Sequence, residues 1–430
     1  MTSESQRQVG PPRHGSAIHD PRIRAIFYQV VFLVAVLWGC YQLGLNVSSN
    51  LETQRIATGF GFLGQPAGFA INQTLIPYSE TNTYGRVFLV GLLNTLLVAV
   101  IGVVFATLIG FVVGIARLSP NWLVARLATG YVELIRNLPL LFQIMFWYLA
   151  VLGTLPQPRQ SLELGVAPLL RRLAESLGAL DATGIPAALN ALAERLAPAS
   201  LYLNNRGLIL PEPAVTPGGL VTAAIVAAAV AALLVLRRWA RRRQEATGET
   251  FPLGRAALLL LVGVPLAAAV LLGSPVSLQP PELRGFNFIG GVRLIPEFVA
   301  LVIALSTYTA AFIAEVVRAG ILAVPRGQTE AAMALGLDRR RTLRLIVVPQ
   351  ALRIIVPPLT NQYLNLTKNS TLAAAIGYPD LFSVFAGSAL NITGQAIEII
   401  AIIMAVYLTI SLATSAVMSW YNARIQLAER

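Results

Sequence analysis

Eight apolar segments, separated by more polar connections, constrain this chain more than any other feature of its sequence. A helix needs about 20 apolar residues to cross the hydrocarbon core of a bilayer, where its backbone amides must bond within the segment. The sequence therefore predicts an all-α polytopic membrane protein with about eight transmembrane helices. These candidate spans lie at about 25–47, 87–116, 138–154, 219–236, 256–273, 297–316, 350–366 and 396–420.

Composition supports this class and argues against a soluble protein. Charged residues make up 12% of the 430 residues, whereas soluble domains average about 25%. The formal net charge is +12, but the basic residues cluster beside apolar segments, so we predict no nucleic-acid partner. The single cysteine, Cys40, excludes an intrachain disulfide. We predict no catalytic residue and no metal site.

The distribution of basic residues predicts the orientation of the chain. With the N-terminus inside, the cytoplasmic segments hold 22 of the 32 Lys and Arg residues. Cytoplasmic connections carry such an excess, so both termini are expected in the cytoplasm. Residues 1–24 then form a cytoplasmic tail, 25–47 a retained first helix and 48–86 an external loop.

A soluble helical hairpin is predicted beside the sixth apolar segment. Residues Glu330–Gly336 read Glu-Ala-Ala-Met-Ala-Leu-Gly, a short helix whose small residues allow a close neighbour. Gly336 can take the left-handed conformation that ends a helix. Asp338 can then cap a second helix that runs to Pro349 and continues into an apolar span.

This spacing resembles the Glu-Ala-Ala loop of ABC importer permeases. In that family a glycine follows after three residues and Ile-x-Leu-Pro after nine more; here Ile346–Pro349 has Val348 in place of leucine. The resemblance covers most of residues 87–421. Further segments are similar to the polar amino-acid branch, most of all to its general L-amino-acid or glutamate/glutamine/aspartate/asparagine permeases: Tyr308–Glu315, Arg318–Ile321, Glu133–Leu141 and Asn204–Gly207.

The resemblance implies the fold of a type I ABC importer transmembrane domain over 87–421. A periplasmic helical lobe at 155–218 and an extra transmembrane pair at 219–273 interrupt it, and 317–349 form a cytoplasmic coupling loop. The implied protein is a permease subunit of an ATP-driven, binding-protein-dependent amino-acid importer in the bacterial inner membrane. Its implied partners are membrane lipid, two ATP-binding cassette subunits, a periplasmic amino-acid-binding protein and a second permease, either a sister chain or an identical copy.

The energy source is expected on another subunit. The sequence lacks the Gly-x4-Gly-Lys-Ser/Thr loop that cradles nucleotide phosphates, and its only lysine, Lys368, lies between Thr367 and Asn369. The chain is thus expected to bind no cofactor itself, with ATP and Mg²⁺ held by the partner. By resemblance the ATPase docks on Gln328, Glu330, Ala331, Ala332, Gly336 and Pro349.

Polar residues inside apolar segments are candidates for a substrate pathway. Asn361, Asn365 and Lys368 recur at helical spacing in the seventh segment, and polar groups in membranes tend to face a cavity. Gln143 and Tyr148 form a weaker stripe in the third. The amides could instead bond to neighbouring helices, and Lys368 could lie in water.

The lobe at 155–218 contains two similar amphipathic units, Leu170–Leu177 and Leu189–Leu196. Leucines on one face of each predict a helical hairpin outside the membrane. This lobe could serve packing or could contact a substrate-binding protein.

Two other functions remain open from the sequence. An ion-gradient-driven secondary transporter would have carboxylates in mid-membrane and broken helices in two repeats, and neither is evident. A non-transporting membrane scaffold would explain the spans but not the hairpin. The sequence does not rank glutamate, glutamine, aspartate and arginine as substrates.

Overall fold

The computed structural model describes residues 21–53, 58–177, 185–249, 251–272 and 276–425. Most of the predicted cytoplasmic tail, residues 1–20, lies outside the described residues, as do the last five residues of the chain.

The first two predicted spans are helices with different surroundings. Helix α1, Pro21–Thr53, has no buried residue between Arg24 and Val47. Helix α2, Tyr84–Ala116, is partly buried along its length. Between them, a short turn at Phe60–Gly64 buries Phe62 against Tyr84, the first residue of α2.

The third predicted span is one half of a bent pair. Helix α3, Trp122–Asn137, meets α4, Leu140–Met145, and its π-helical continuation Phe146–Leu152 at an angle of 106°. Pro139 lies at the bend, and a residue before proline is disfavoured in helical conformation, as Leu138 shows with ψ 131°. The prediction of a simple span at 138–154 is therefore incomplete.

The lobe contains the predicted helical hairpin together with strands that the sequence did not reveal. Helices α5 and α6 pack against each other. Their buried side chains are small, Ala174 and Ala193 among them, whereas Leu173 and Leu192 of the predicted leucine faces remain exposed. The elements of the lobe are β1 Leu162–Leu164, α5 Val166–Ser176, α6 Ile185–Leu196, β2 Leu201–Asn204, β3 Gly207–Leu210 and β4 Glu212–Val215.

The inserted pair of helices leaves the lobe and returns to it. Helix α7, Pro217–Thr247, is followed by α8, Leu253–Leu258, a π turn at Leu259–Gly263, and α9, Val264–Leu272. The returning chain forms β5 Val276–Gln279, β6 Glu282–Arg284, β7 Asn287–Ile289 and β8 Val292–Leu294. The main antiparallel sheet has the order β1-β2-β3-β8, and β4 pairs with β5 and β6 with β7.

The remaining elements form the centre of the membrane domain and its hairpin. They are α10 Pro296–Leu322, α11 Arg326–Ala334, α12 Arg339–Thr342, a π turn Leu343–Val347, α13 Val348–Asn369, a 3-10 segment Ser370–Ile376, a π segment Ser383–Ala389, α14 Leu390–Thr393 and α15 Ala396–Ile425.

Helix α10 is the centre of the core, and glycines allow its neighbours to approach. A Cβ atom at Gly110 of α2 would lie 2.5 Å from Cγ2 of Ile313, and one at Gly114 would lie 2.8 Å from the Ala314 oxygen. Small residues four positions apart on α2 thus allow close packing of the two helices. Gly320 of α10 meets Ile355 of α13 in the same way.

Helix α3 also packs on α10, although the sequence placed residues 117–137 in a cytoplasmic connection. The Tyr131 hydroxyl donates to the Thr307 carbonyl at 2.6 Å, and Val132 is buried with Ala311 and Ala314. The segment is a helix because its apolar residues recur on one face, which α10 covers.

Six described helices are long and apolar enough to cross a membrane, and the bent pair raises that number to seven. The predicted fifth span is helical, but its apolar part, Leu253–Ala268, is shorter than the others. All eight predicted segments are thus helical, while two of them are not simple spans.

Candidate functional site

The short helix α11 ends at Gly336 by a backbone arrangement that glycine favours. Gly336 has φ +80°, its N–H bonds to the Met333 carbonyl at 2.9 Å, and the Leu337 N–H bonds to the Ala332 carbonyl at 3.1 Å. These two bonds form a Schellman motif, in which the left-handed residue has no Cβ penalty. The predicted end of this helix is confirmed.

The next helix starts as predicted and continues without a break into the membrane domain. The Asp338 carboxylate accepts a hydrogen bond from the Arg341 N–H at 2.7 Å and so caps α12. From Arg339 to Asn369 the backbone remains helical, with Pro349 in the first turn of α13. Residues 326–347 are called the hairpin below.

A side-chain contact ties α11, the first arm of this hairpin, to α13. The Gln350 amide nitrogen donates to the Gln328 side-chain oxygen at 3.2 Å. Gln328, predicted as a docking residue, therefore also links α11 to the base of α13.

The free face of α11 is not the one that the sequence suggested. Glu330 and Ala331 are exposed, but Ala332 is 3% exposed and lies against its own chain. Successive residues of a helix point about 100° apart, so two adjacent alanines cannot share one face. Ala332 is thus covered by its own chain, and its predicted contact with the ATPase stays a prediction. Leu335, an apolar side chain that is 83% exposed, lies beside them and was not predicted.

The polar residues of α13 lie on one exposed face. Asn361, Asn365 and Lys368 are exposed, while Leu366 and Thr367 between them are buried against the core. No described helix of this chain covers that face. Below Asn361 it continues through Pro358, which follows Pro357 inside the helix.

Gln143 lies at the bend between α3 and α4, not on an open surface. It is 6% exposed, and its amide nitrogen donates to the Ile135 and Leu138 carbonyls, each at 3.0 Å. These carbonyls lose their helical partners where the chain bends at Pro139. The geometry gives Gln143 a role in holding the bend.

Tyr148 lies near the start of α10. Its hydroxyl donates to the Glu297 carboxylate at 3.0 Å, a partner that the sequence analysis did not single out. Among the described hydrogen bonds, none joins Tyr148 or Gln143 to the exposed face of α13.

A buried carboxylate that was not predicted lies at Asp380, between the seventh and eighth predicted spans. Asp380 is fully buried and accepts hydrogen bonds from the Ser383 N–H at 2.8 Å and the Tyr407 hydroxyl at 3.3 Å. Around it, Asn94 donates to the Pro379 carbonyl and Thr95 accepts from the Leu381 N–H. Asp380 thus caps a short helix that packs between α2 and α15.

Long apolar helices around a glycine-packed core, with one exposed hairpin continuous with a polar-faced helix, define a polytopic membrane protein of the transport class. Residues 258–427 match the family described as "Binding-protein-dependent transport system inner membrane component". The chain belongs to this family.

Two relatives extend the match over the whole chain. The chain is 48% identical over 425 residues to the general L-amino acid transport system permease protein AapQ of Rhizobium johnstonii, covering 97% of this chain and 98% of that one. It is 43% identical over 439 residues to the glutamate/glutamine/aspartate/asparagine transport system permease protein BztB of Rhodobacter capsulatus, covering 98% and 99%. A crystal structure of an amino acid ABC transporter with histidines is 20% identical with a TM-score of 0.42, covering 79% of this chain and 95% of that one.

The chain is therefore a permease subunit of a binding-protein-dependent ABC importer, a multi-pass inner-membrane protein and not an enzyme. Such a subunit works with an ATPase, a solute-binding protein and a second permease. Membership in this family argues against the two alternatives that the sequence left open, an ion-gradient-driven transporter and a non-transporting scaffold.

Proposed function

We propose that this chain forms one half of the transport pathway of a polar amino-acid importer, and that the exposed hairpin couples it to an ATPase. One observation carries the proposal: α12, the π turn and α13 form a continuous helix that joins the hairpin to the polar face. A push on the hairpin would therefore move the polar face directly.

The hairpin has the surface expected of a docking element. Glu330, Ala331 and Leu335 are exposed together at the end of α11, so a charge, a small side chain and an apolar side chain face outward. An apolar side chain flanked by polar groups is typical of a contact that becomes buried on association. ATP and Mg²⁺ would bind on the ATPase, whose closure would displace the hairpin.

The polar face of α13 requires a cover other than lipid. Side-chain amides that face lipid lose their hydrogen bonds to water, and Lys368, in the last turn of α13, adds a charge to the same face. A second permease facing α13 across a water-filled pathway would remove this cost. The complete transporter would then contain two permeases and two ATPases.

The chemistry of this face suits an amino acid. The amides of Asn361 and Asn365 offer donors for a carboxylate and acceptors for an ammonium group, and Lys368 attracts an acid. Tyr148 lies on another helix, beside Glu297, and would act at the external end of the pathway.

The relatives support amino acids as substrates and a sister chain as the second permease. AapQ is named for general L-amino acids and BztB for glutamate, glutamine, aspartate and asparagine. Rhodobacter capsulatus also has a permease protein named for the same system as BztB, called BztC. In our proposal the hairpin and both termini are cytoplasmic and the lobe is periplasmic.

Reconstitution tests this function. The chain, co-expressed with its neighbouring permease and ATPase genes, is placed in proteoliposomes with the binding protein, and uptake of labelled amino acids is measured. We expect uptake to need ATP and to survive an uncoupler, with acidic and amide amino acids competing. Uptake that persists without ATP but collapses with an uncoupler would contradict the proposal.

A further inference from the structure

The segment Asn204–Gly207, which the sequence marked by its resemblance, forms the turn between β2 and β3. The Asn204 side-chain oxygen accepts a hydrogen bond from the Arg206 N–H at 2.8 Å. Gly207 has φ +114°, and a Cβ atom there would collide with the Leu294 carbonyl of β8. The turn is therefore pressed against the strand that leads into α10.

A cavity of about 160 Å³ opens beside this turn. Arg206 from the turn and Arg293 from β8 line it, together with Asn204 and with Asn287 of β7. None of its lining residues is acidic, and neither arginine forms an ion pair with a described carboxylate. We call it the arginine cavity.

Stacked rings and backbone contacts keep the walls of this cavity in place. Arg159 lies over the Phe286 ring at 4.2 Å and donates to the Gly285 carbonyl at 3.1 Å, which fixes the β6–β7 turn. Tyr202 and Phe288 have ring centroids 4.9 Å apart. Burial, with the Glu163 charge as a smaller cause, raises the pKa of the Tyr202 hydroxyl above its ordinary value, so this ring stays neutral.

One of the two guanidinium groups is oriented by the backbone. The Arg293 Nε donates to the Arg206 carbonyl at 3.2 Å, and no described hydrogen bond uses its terminal nitrogens. The Arg206 side chain forms no described hydrogen bond. Two guanidinium groups that pair with no described carboxylate, beside a preformed cavity, favour an anion, and guanidinium groups bind carboxylates in a bidentate manner.

The lining also limits which carboxylate fits. A free amino acid would bring an ammonium group into a cavity that has no acidic residue to balance it, and burying an unpaired charge is costly. An aspartate or glutamate side chain of another protein brings only the carboxylate. The cavity lies at the start of α10, opposite the hairpin that follows its end.

We propose that the arginine cavity receives an acidic side chain of the solute-binding protein. This inference rests on the proposed function, because it needs the lobe to be periplasmic. Only Leu294 and Ile295 separate Arg293, which lines the cavity, from Pro296, the first residue of α10. Docking at the cavity would thus act on the central helix whose other end continues into the hairpin.

The test uses the complete transporter in nanodiscs with its binding protein, and measures ATP hydrolysis against binding-protein concentration. Arg206→Ala and Arg293→Ala should each raise the half-saturating concentration about tenfold or more. Basal hydrolysis should not change. Arg284→Ala is the matched control, because Arg284 lies on the same lobe, pairs with Glu282 and does not line the cavity; it should match wild type.

Other outcomes would overturn the inference. An unchanged half-saturating concentration in both cavity variants would do so, as would calorimetric binding of free glutamate to the transporter alone that these variants abolish. If an alanine variant loses basal hydrolysis, lysine is substituted for the arginine at that position instead. The lysine variant should raise the half-saturating concentration of the binding protein by a smaller factor. A wild-type transporter that the binding protein does not stimulate would refute the proposed function itself, a result separate from that of the variants.

Discussion

The side-chain amide of Gln350 donates to the side-chain oxygen of Gln328 at 3.2 Å, which joins α11 to the first turn of α13. Without this contact α11 would be held by the backbone turn and by the burial of Ala332. A displacement of α11 could then be absorbed before it reached the polar face. The contact thus links the proposed docking element to the proposed pathway.

Removing this contact should loosen coupling. Gln328→Ala and Gln350→Ala should each lower the amount of substrate moved per ATP hydrolysed by about two- to fivefold, because an exposed hydrogen bond contributes about 0.5–1.5 kcal/mol. The double variant should be no worse than either single one, since both remove the same contact. Additive losses would show that the two side chains act separately.

The end of α11 depends on a left-handed residue. Gly336→Val should reduce uptake at least about tenfold while membrane insertion remains, because a left-handed conformation costs an ordinary residue about 1–2 kcal/mol, and valine more. Gly336→Asn is the control, since asparagine tolerates this conformation, and it should retain most of the uptake. Equal uptake by the two variants would remove the backbone argument. Insertion is followed by protease protection of the hairpin.

A substitution on the polar face of α13 tests whether that face lines a pathway or contacts lipid. Asn365→Leu should lower uptake about tenfold or more if the face lines a pathway, whereas leucine in lipid would be neutral or stabilising. Thr367→Val serves as the control, because Thr367 is buried on the opposite side and bonds to the Tyr363 carbonyl. Wild-type uptake with raised thermal stability in Asn365→Leu would place this face in lipid.

The charge of Lys368 should affect substrate choice. Lys368→Gln is expected to weaken competition by glutamate and aspartate relative to glutamine and asparagine, because an acid loses an attractive charge. The change is measured in an uptake assay as the ratio of the inhibition constants of the acidic amino acids to those of the amide amino acids. An identical ratio in wild type and variant would take Lys368 out of the pathway.

Close packing of α2 on α10 should make one glycine indispensable. Gly110→Val should lower the melting temperature or prevent folding, since its Cβ would lie 2.5 Å from Ile313 and overpacking costs about 1–3 kcal/mol. Gly130→Val on α3 is the matched control, because no atom lies within 4 Å of a Cβ there. Equal thermal stability of the two variants would contradict the packing described.

Gln143 illustrates why part of the site could not be predicted. Its spacing with Tyr148 was visible in the sequence, yet the burial of its amide against Ile135 and Leu138 follows from the bend at Pro139. The proline did offer a signal, because it disfavours helix at the residue before it. The 106° angle depends on how both halves pack on α10.

Asp380 illustrates a different difficulty. Its neighbours in the sequence, Tyr378 and Pro379, suggest a turn, and the contacts that bury it come from α2 and α15. Asn94 lies 285 residues from Pro379 in the sequence, and Tyr407 lies 27 residues from Asp380. No local pattern encodes such a meeting.

The sequence by itself determined the local elements, because segment length, apolar content, the Gly336 end and the Asp338 cap depend on residues within a few positions. Tertiary structure alone decided which face of each helix stays open: that Ala332 is covered while Leu335 is not, and that Asn365 is exposed, with no described helix covering it. It also decided the pairing of β3 with β8, whose residues Leu208 and Leu294 lie on either side of the inserted helices. Local preference acts through the backbone of a few residues, whereas exposure and strand pairing depend on elements brought together from distant parts of the chain.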